Sequence, residues 1–251
     1  KHSIVVYQNA FDPTTMSLED TIAGVGCVDR DTVQHTGTDV IFLSQTGLKS
    51  FGRTIQEKSM PITSLSSTIS RDIIEAIDNE TEGYASVYSP ENNFYLLTFQ
   101  GQNLTYCFDV RGTMQNGAYR VTRWPRTGIM SYERTSDGTL YLGSEYGIGE
   151  YDGYADNGSG YEFSYFSPSL TFGDPSKLKM LKKIRPTIVG GDDQQAQLSW
   201  AYDFDTSYST QTITVGKGSK PALFGTANYG VDKFTGGVKT SRTAVNTTGG
   251  G

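Results

Sequence analysis

The chain has 251 residues, a formal net charge of −6 and a pI near 5.0. That balance lacks the positive charge by which a general nucleic-acid binder neutralises phosphates, so wrapping of DNA is disfavoured. With 16 Tyr, 12 Phe and 29 Gly against 19% charged residues, the composition is one of strands and turns, and the longest apolar runs, such as VIFL and FYLL, are of strand length rather than membrane-span length.

The chain starts at Lys1 without Met, shows no signal-peptide pattern, and enters the strand SIVVYQ (Ser3 to Gln8) at once. No hairpin partner precedes this strand, so its partner is expected upstream or elsewhere in the sheet. FDPTTMSLED reads as a loop opened by the turn former Asp12-Pro13, and TIAGVGCV and DTVQHT as two short strands. Then comes GTDVIFLSQTGLKSF (Gly37 to Phe51), a β-hairpin ending near Thr54. It is repeated as GTLYLGSEYGIGEY (Gly138 to Tyr151), where Ser44 and Ser144, Gly47 and Gly147, and Phe51 and Tyr151 share one offset. NNFYLLTFQGQNLTYCF (Asn92 to Phe108) follows the same plan more loosely. Gly47, Gly101 and Gly147 are expected to supply the positive φ of the three turns. Copies roughly fifty residues apart suggest the blades of a β-propeller; an ordinary meander or sandwich with similar hairpins is the alternative.

One stretch breaks the β pattern. In SSTISRDIIEAI, Ile69, Ile73, Ile74 and Ile77 fall at helical spacing, which predicts a short helix near 67–78, capped by Ser67 or Ser70 and packing by its isoleucine face. Tyr84 to Phe99 reads as a hairpin turning at Ser89–Asn93, followed by strands at Tyr106–Val110 and Ala118–Pro125 and a hairpin-rich stretch from Gly128 to Tyr154. Past Asp156-Asn157-Gly158 the expected strands lengthen: YEFSYFSPSLTF, MLKKIRPTIVG and AQLSWAYDFD, with a turn at Gly190–Asp193. From Gly216 the chain is Gly-, Thr- and Lys-rich and is expected to be mobile or to need partner chains for order. The expected fold is all-β: propeller blades over 1–160 with one inserted helix, then a sandwich- or barrel-like region over 161–251. The end at Gly249-Gly250-Gly251, with no closing element, suggests a longer parent protein.

Little of this points to catalysis. Histidine occurs only at His2 and His35, and no Cys/His spacing suits zinc. Asp152, Asp156, Asn157 and Gly158 hint at a calcium loop, but Tyr154 stands where an oxygen ligand is required. No nucleophile elbow or phosphate loop is present; GVG at Gly24–Gly26 leads into no helix. Asp137, Glu145, Glu150 and Asp152 cluster as a glycosidase's carboxylates would, yet Asp137 also suits a turn and Glu150 a solvent face. Cys27 and Cys107 read as buried free thiols. The basic run Lys177, Lys179, Lys182, Lys183 and Arg185 reads as a guarded strand edge, or as a contact for an anionic partner. NET, NLT, NGS and NTT matter only in a secreted eukaryotic protein. The sequence therefore predicts no catalytic, cofactor-binding or metal residues, and no enzyme.

The order GCVDRDTVQHTGTDVIFLSQTGLKSF, RVTRWP, DGTLYLGSEYGIGEYDGYADNG and TFGDPSKLKMLKKIRPTIVG resembles the nozzle, or tail tubular protein B, family of short-tailed bacteriophages over roughly residues 20 to 190. The resemblance implies a structural virion protein of the tail, made in the host cytoplasm. Such a protein assembles as a hexameric ring below portal and adaptor, carries tail fibres or spikes, and passes genomic DNA through its lumen without sequence-specific contact until ejection. An acidic lumen would suit that passage, because it repels the DNA backbone. The alternative is a receptor- or carbohydrate-binding tail propeller, with or without glycan cleavage; a generic propeller scaffold is the third reading.

Overall fold

A computed structural model describes residues 3–56, 64–125, 128–152, 159–174, 176–189, 195–215 and 240–247. Of these, 43% are in strands and 11% in helices, so the protein is all-β in character. The chain divides into two compact units, residues 1–162 and 163–251.

The first unit opens with β1 (Ser3–Gln8), which pairs antiparallel with β2 (Ser17–Ala23). The partner of β1 therefore follows it, and the last four residues of the expected FDPTTMSLED loop, Ser17 to Asp20, are strand. The connection is tight because Asn9 adopts a positive φ of 56° and the Asp12 carboxylate accepts from the backbone N–H of Thr14 at 2.9 Å. Of the two strands expected next, TIAGVGCV is strand only as far as Ala23, and DTVQHT supplies a single 3-10 turn and a two-residue strand.

Three antiparallel meanders follow. β3 (Gln34–His35), β4 (Val40–Ser44) and β5 (Gly47–Ser50) form the first. β6 (Tyr84–Ser89), β7 (Phe94–Phe99), β8 (Leu104–Asp109) and β9 (Arg120–Pro125) form the second, and β10 (Ile129–Arg134), β11 (Leu140–Ser144) and β12 (Gly147–Glu150) the third. Between the first two lie α1 (Phe51–Gln56) and α2 (Ser70–Asp78).

The repeated phrase is a repeated hairpin in identical register. Ser44 pairs with Gly47, and Ser144 with Gly147, around two-residue turns. Each serine Oγ accepts from the backbone N–H two residues on, at 3.2 Å in both copies. Gly47 and Gly147 have φ of 114° and 142°, as expected. The middle copy departs: its turn spans Gln100 to Asn103, the positive φ (50°) belongs to Asn103, and Gly101 has none. Gly101 is required for another reason, since a Cβ there would sit 2.8 Å from Glu80 Oε1.

That carboxylate organises the junction after α2. Burial alone would raise its pKa, but the backbone N–H groups of Glu82, Gly83 and Gly101 and the Gln102 amide bond its oxygens and hold it below the usual glutamate range. α2 lies where its isoleucine spacing predicts, preceded by a 3-10 turn at Ser67–Ile69, with Ile73 and Ala76 buried. Neither Ser67 nor Ser70 caps it. The nearby Ser66 Oγ instead accepts from Leu48 N–H at 3.0 Å, tying the helix approach to β5. α1 replaces the expected end of the first hairpin: Ser50 Oγ accepts from Arg53 N–H at 3.2 Å as a local N-cap, and Asp39, upstream of β4, accepts from Gly52 N–H at 2.8 Å.

The core has two parts separated by β7. Tyr95, Leu97 and Phe99 project toward β4, β5 and α2, where they join Ile41, Leu43, Leu48 and Ile73. Phe94 and Leu96 project the other way and meet Val87 and Leu140. Thr98 shares this second face, and its hydroxyl bonds both Thr105 and the Tyr132 hydroxyl of β10.

In the second unit β13 (Lys183–Ile184) pairs with β18 (Val245–Asn246), β14 (Thr187–Val189) with β17 (Thr240–Arg242), and β15 (Gln195–Trp200) with β16 (Ser209–Thr214). Residues 240–246 of the Gly/Thr-rich end are thus paired and not free, and Val245 is fully buried. The expected strand YEFSYFSPSLTF does not form, and MLKKIRPTIVG is strand only at its two short pieces. The Gly190–Asp193 turn, residues 216–239 and the Gly249–Gly251 end lie outside the described residues. Among the described residues neither a closed propeller nor a closed barrel forms.

Gly47 and Gly147 occupy one position of the repeat in different surroundings, which makes a clean comparison. A Cβ at Gly47 would lie 2.5 Å from Ser66 Oγ and 2.6 Å from Ser64 Oγ, whereas at Gly147 it would meet nothing. Gly47→Ala is expected to cost about 3 kcal/mol in urea unfolding, against about 1 kcal/mol for Gly147→Ala, because only the first adds displaced hydrogen bonds to backbone strain. Thr98→Val removes one of two hydroxyl partners of the buried Tyr132 phenol, Thr105 being the other, and is expected to cost about 1 kcal/mol; adding Tyr132→Phe should recover part of that loss in the same assay.

Candidate functional site

The first strands of the three meanders come together. β6 packs against β3 on one side and β10 on the other. Between them opens a cleft of about 540 Å³. Gln34 and His35 line it from β3 with Thr36 just beyond, Ser86 and Tyr88 from β6, and Tyr132 and Arg134 from β10.

The floor is fixed by hydrogen bonds. Gln34 Nε2 donates to both Ser86 O and Ser86 Oγ at 3.1 Å, and Ser86 Oγ donates to Asp31 O at 2.6 Å. His35 Nδ1 accepts from Gly37 N–H at 3.2 Å, which leaves Nε2 as the donating nitrogen. Below the rim, burial pushes the Tyr132 phenol up to about 12. At the rim, Arg134 grips Glu91 with two guanidinium nitrogens, Nε at 2.9 Å and Nη2 at 2.5 Å. That bidentate contact lowers the Glu91 carboxyl to about 2. The arrangement is a shallow polar groove with aromatic and guanidinium edges. It can hold a hydroxyl-rich or peptide-like ligand by hydrogen bonds.

The acidic residues singled out in sequence fall elsewhere. Asp137 is a turn residue: its carboxylate accepts from Thr135 Oγ1 and from Thr139 N–H, and these bonds hold it below the usual aspartate range. Glu145 lies in the turn at the opposite end of the five-residue β11 from Asp137, a strand about 16 Å long, beyond the separation of paired glycosidase carboxylates. Glu150 is exposed on β12, opposite Tyr141. Asp156, Asn157 and Gly158 lie outside the described residues. No group of three His, Cys, Asp or Glu side chains suited to a metal occurs among the described residues.

Neither cysteine is disulfide-bonded, and both are half-buried rather than buried. Cys27 Sγ donates to Asp29 O at 2.8 Å, and burial pushes the Cys107 thiol up to about 11. In the basic run, Lys177 pairs with Asp174 at 3.7 Å and Lys179 Nζ donates to Thr171 O and Asp174 O, so these two lysines brace a loop instead of guarding a strand. No helix among the described residues is long and apolar enough to cross a membrane.

The cleft itself had no signal in the sequence. Its walls are separated by stretches of about fifty residues, and its residues look like ordinary strand positions until the sheets are packed.

The rim ion pair gives a pH test. The folded pKa of Glu91 is depressed, so its contribution is present above its unfolded value and is lost as pH falls toward about 2. In Arg134→Ala the Glu91 carboxyl is expected to titrate near the ordinary glutamate value, and that acid-limb contribution disappears. Carbon-detected NMR titration of the side-chain carboxyl reads both.

Comparison with family models, curated proteins and solved structures returns no match.

Proposed function

We propose that this chain is a structural component of a short-tailed phage tail, a ring-forming nozzle that extends the DNA channel below portal and adaptor. The observation that carries the reading is the convergence of β3, β6 and β10. Successive meanders that turn their first strands toward one cleft are the arrangement of propeller blades around an axis. In this reading each meander is a blade, and the described part is an arc of a larger propeller. The order of motifs resembling the nozzle family supplies the biological setting.

The physical demands of that role suit the molecule. A conduit under internal pressure needs stiff modules, and the hydrogen-bonded sheets with a doubly packed central strand provide them. A net charge of −6 favours sliding of DNA over adhesion. The proposed partners are other copies of the chain in a hexamer, the adaptor, tail fibres or spikes, and DNA passing without sequence-specific contact. The proposed location is the virion tail, after synthesis in the host cytoplasm. The role requires no turnover and no cofactor.

The second reading, a receptor- or carbohydrate-binding tail propeller, draws on Tyr88, His35 and Arg134 in the cleft. Electron microscopy of particles containing this protein, classified without imposed symmetry, separates the two. A sixfold ring on the portal axis is the expected result. A peripheral trimeric or monomeric appendage would overturn it in favour of receptor binding.

A further inference from the structure

The cleft between β3, β6 and β10 has a floor closed by internal bonds, yet its walls keep uncommitted polar groups. His35 Nε2, the Gln34 amide oxygen and the Tyr88 hydroxyl have no hydrogen-bond partner among the described residues. Rings stand beside them. Tyr88 and Tyr132 are half-buried, and Pro90, two residues beyond Tyr88, is exposed. The Tyr132 hydroxyl is bonded to Thr98, so this residue offers the cleft its ring.

Charge and backbone narrow the ligand. Arg134 is already held by Glu91 through two nitrogens, so an anion would have to displace a carboxylate that neutralises it. A peptide strand is disfavoured as well. Gln34 Nε2 takes the Ser86 carbonyl on the edge of β6, and β3 is only two residues long, which interrupts both edges as templates for strand addition.

A neutral saccharide meets these conditions. A pyranose has an apolar C–H face that packs on aromatic and proline rings, and a rim of hydroxyls that both donate and accept. The walls supply that combination: Tyr88 and Pro90 for the face, His35 Nε2–H to donate and the Gln34 oxygen to accept. A volume of about 540 Å³ lies in the range of ligand clefts and admits a short oligosaccharide of roughly two or three units. We infer that this cleft binds a neutral oligosaccharide, which lies on Tyr88 and Pro90 and is hydrogen-bonded by His35 and Gln34. The inference rests on the carbohydrate-binding reading, for which it names the site and the ligand class, and is separate from the ring role.

The test uses the isotopically labelled full chain with maltotriose, cellotriose and chitotriose, and trigalacturonate as the charged comparison. At least one neutral trisaccharide is expected to shift the amide resonances of Gly37 and Ser86, with a dissociation constant on the order of 1 mM that is unchanged between about 0.05 and 0.5 M salt. Tyr88→Ala is expected to weaken binding roughly tenfold and His35→Ala roughly fivefold, while Tyr88→Phe, which keeps the ring, stays within about twofold. His35 is exposed, so its substitution reads the site without disturbing the core, and urea midpoints check all three variants. Absence of shifts with every neutral sugar at roughly 20 mM, or unchanged binding in both alanine variants, overturns the inference. Binding of trigalacturonate alone, weakened by salt, overturns it in favour of an anion site. Shifts that map away from the cleft would reject this site and leave carbohydrate binding standing. A sixfold ring built from a chain that binds none of the sugars would reject the site and leave the nozzle reading standing; saccharide binding without a ring on the portal axis would do the reverse.

Discussion

β7 is buried on both faces, and the first unit is organised around that fact. A strand with one wet face needs one neighbour. One whose six residues are all buried needs two, and FYLLTF draws the β4–β5 hairpin and α2 to one side and the third meander to the other. At about 1.5–3 kcal/mol per fully buried large side chain, its five apolar residues supply the largest local contribution to the unit's stability. Thr98 is the single polar member. Its hydroxyl links Thr105 and Tyr132, which fixes the rotation of the third sheet where apolar packing alone would permit sliding.

The cleft is a consequence of this packing. Two sheets pressed against a third by their middle strands bring their first strands together at one end. The bonds from Gln34 to Ser86 and from Ser86 to Asp31 then close the first gap, and the Tyr132–Thr98 contact closes the second. What is left between them is too polar to collapse and too open to be core. Whether the proposed propeller continues around this axis or the cleft receives a ligand, the same three strands define it.

The periphery contrasts with the centre. Among the described residues, the outer strands β9 and β12 have no further strand beside them, and Tyr161–Phe172 leaves large aromatic surface in water.

By itself, the sequence determined the local elements whose cause is local. Residues Gly37–Phe51 and Gly138–Tyr151 form hairpins in the same register because a serine and a positive-φ glycine close both turns, and α2 follows the isoleucine spacing. The expected strand over Tyr161–Phe172 does not form: its alternation breaks at Tyr165-Phe166, Pro168 has no N–H for a ladder, and Phe172 takes a positive φ of 49°. Tertiary structure decided everything whose cause lies at a distance. Asp39 reaches from upstream of β4 to bond the first turn of α1 beside its local cap Ser50, and Gly101 is needed because Glu80 approaches it, not for its φ. The cleft depends in the same way on three strands far apart in sequence, whose meeting is a property of packing and of no single segment.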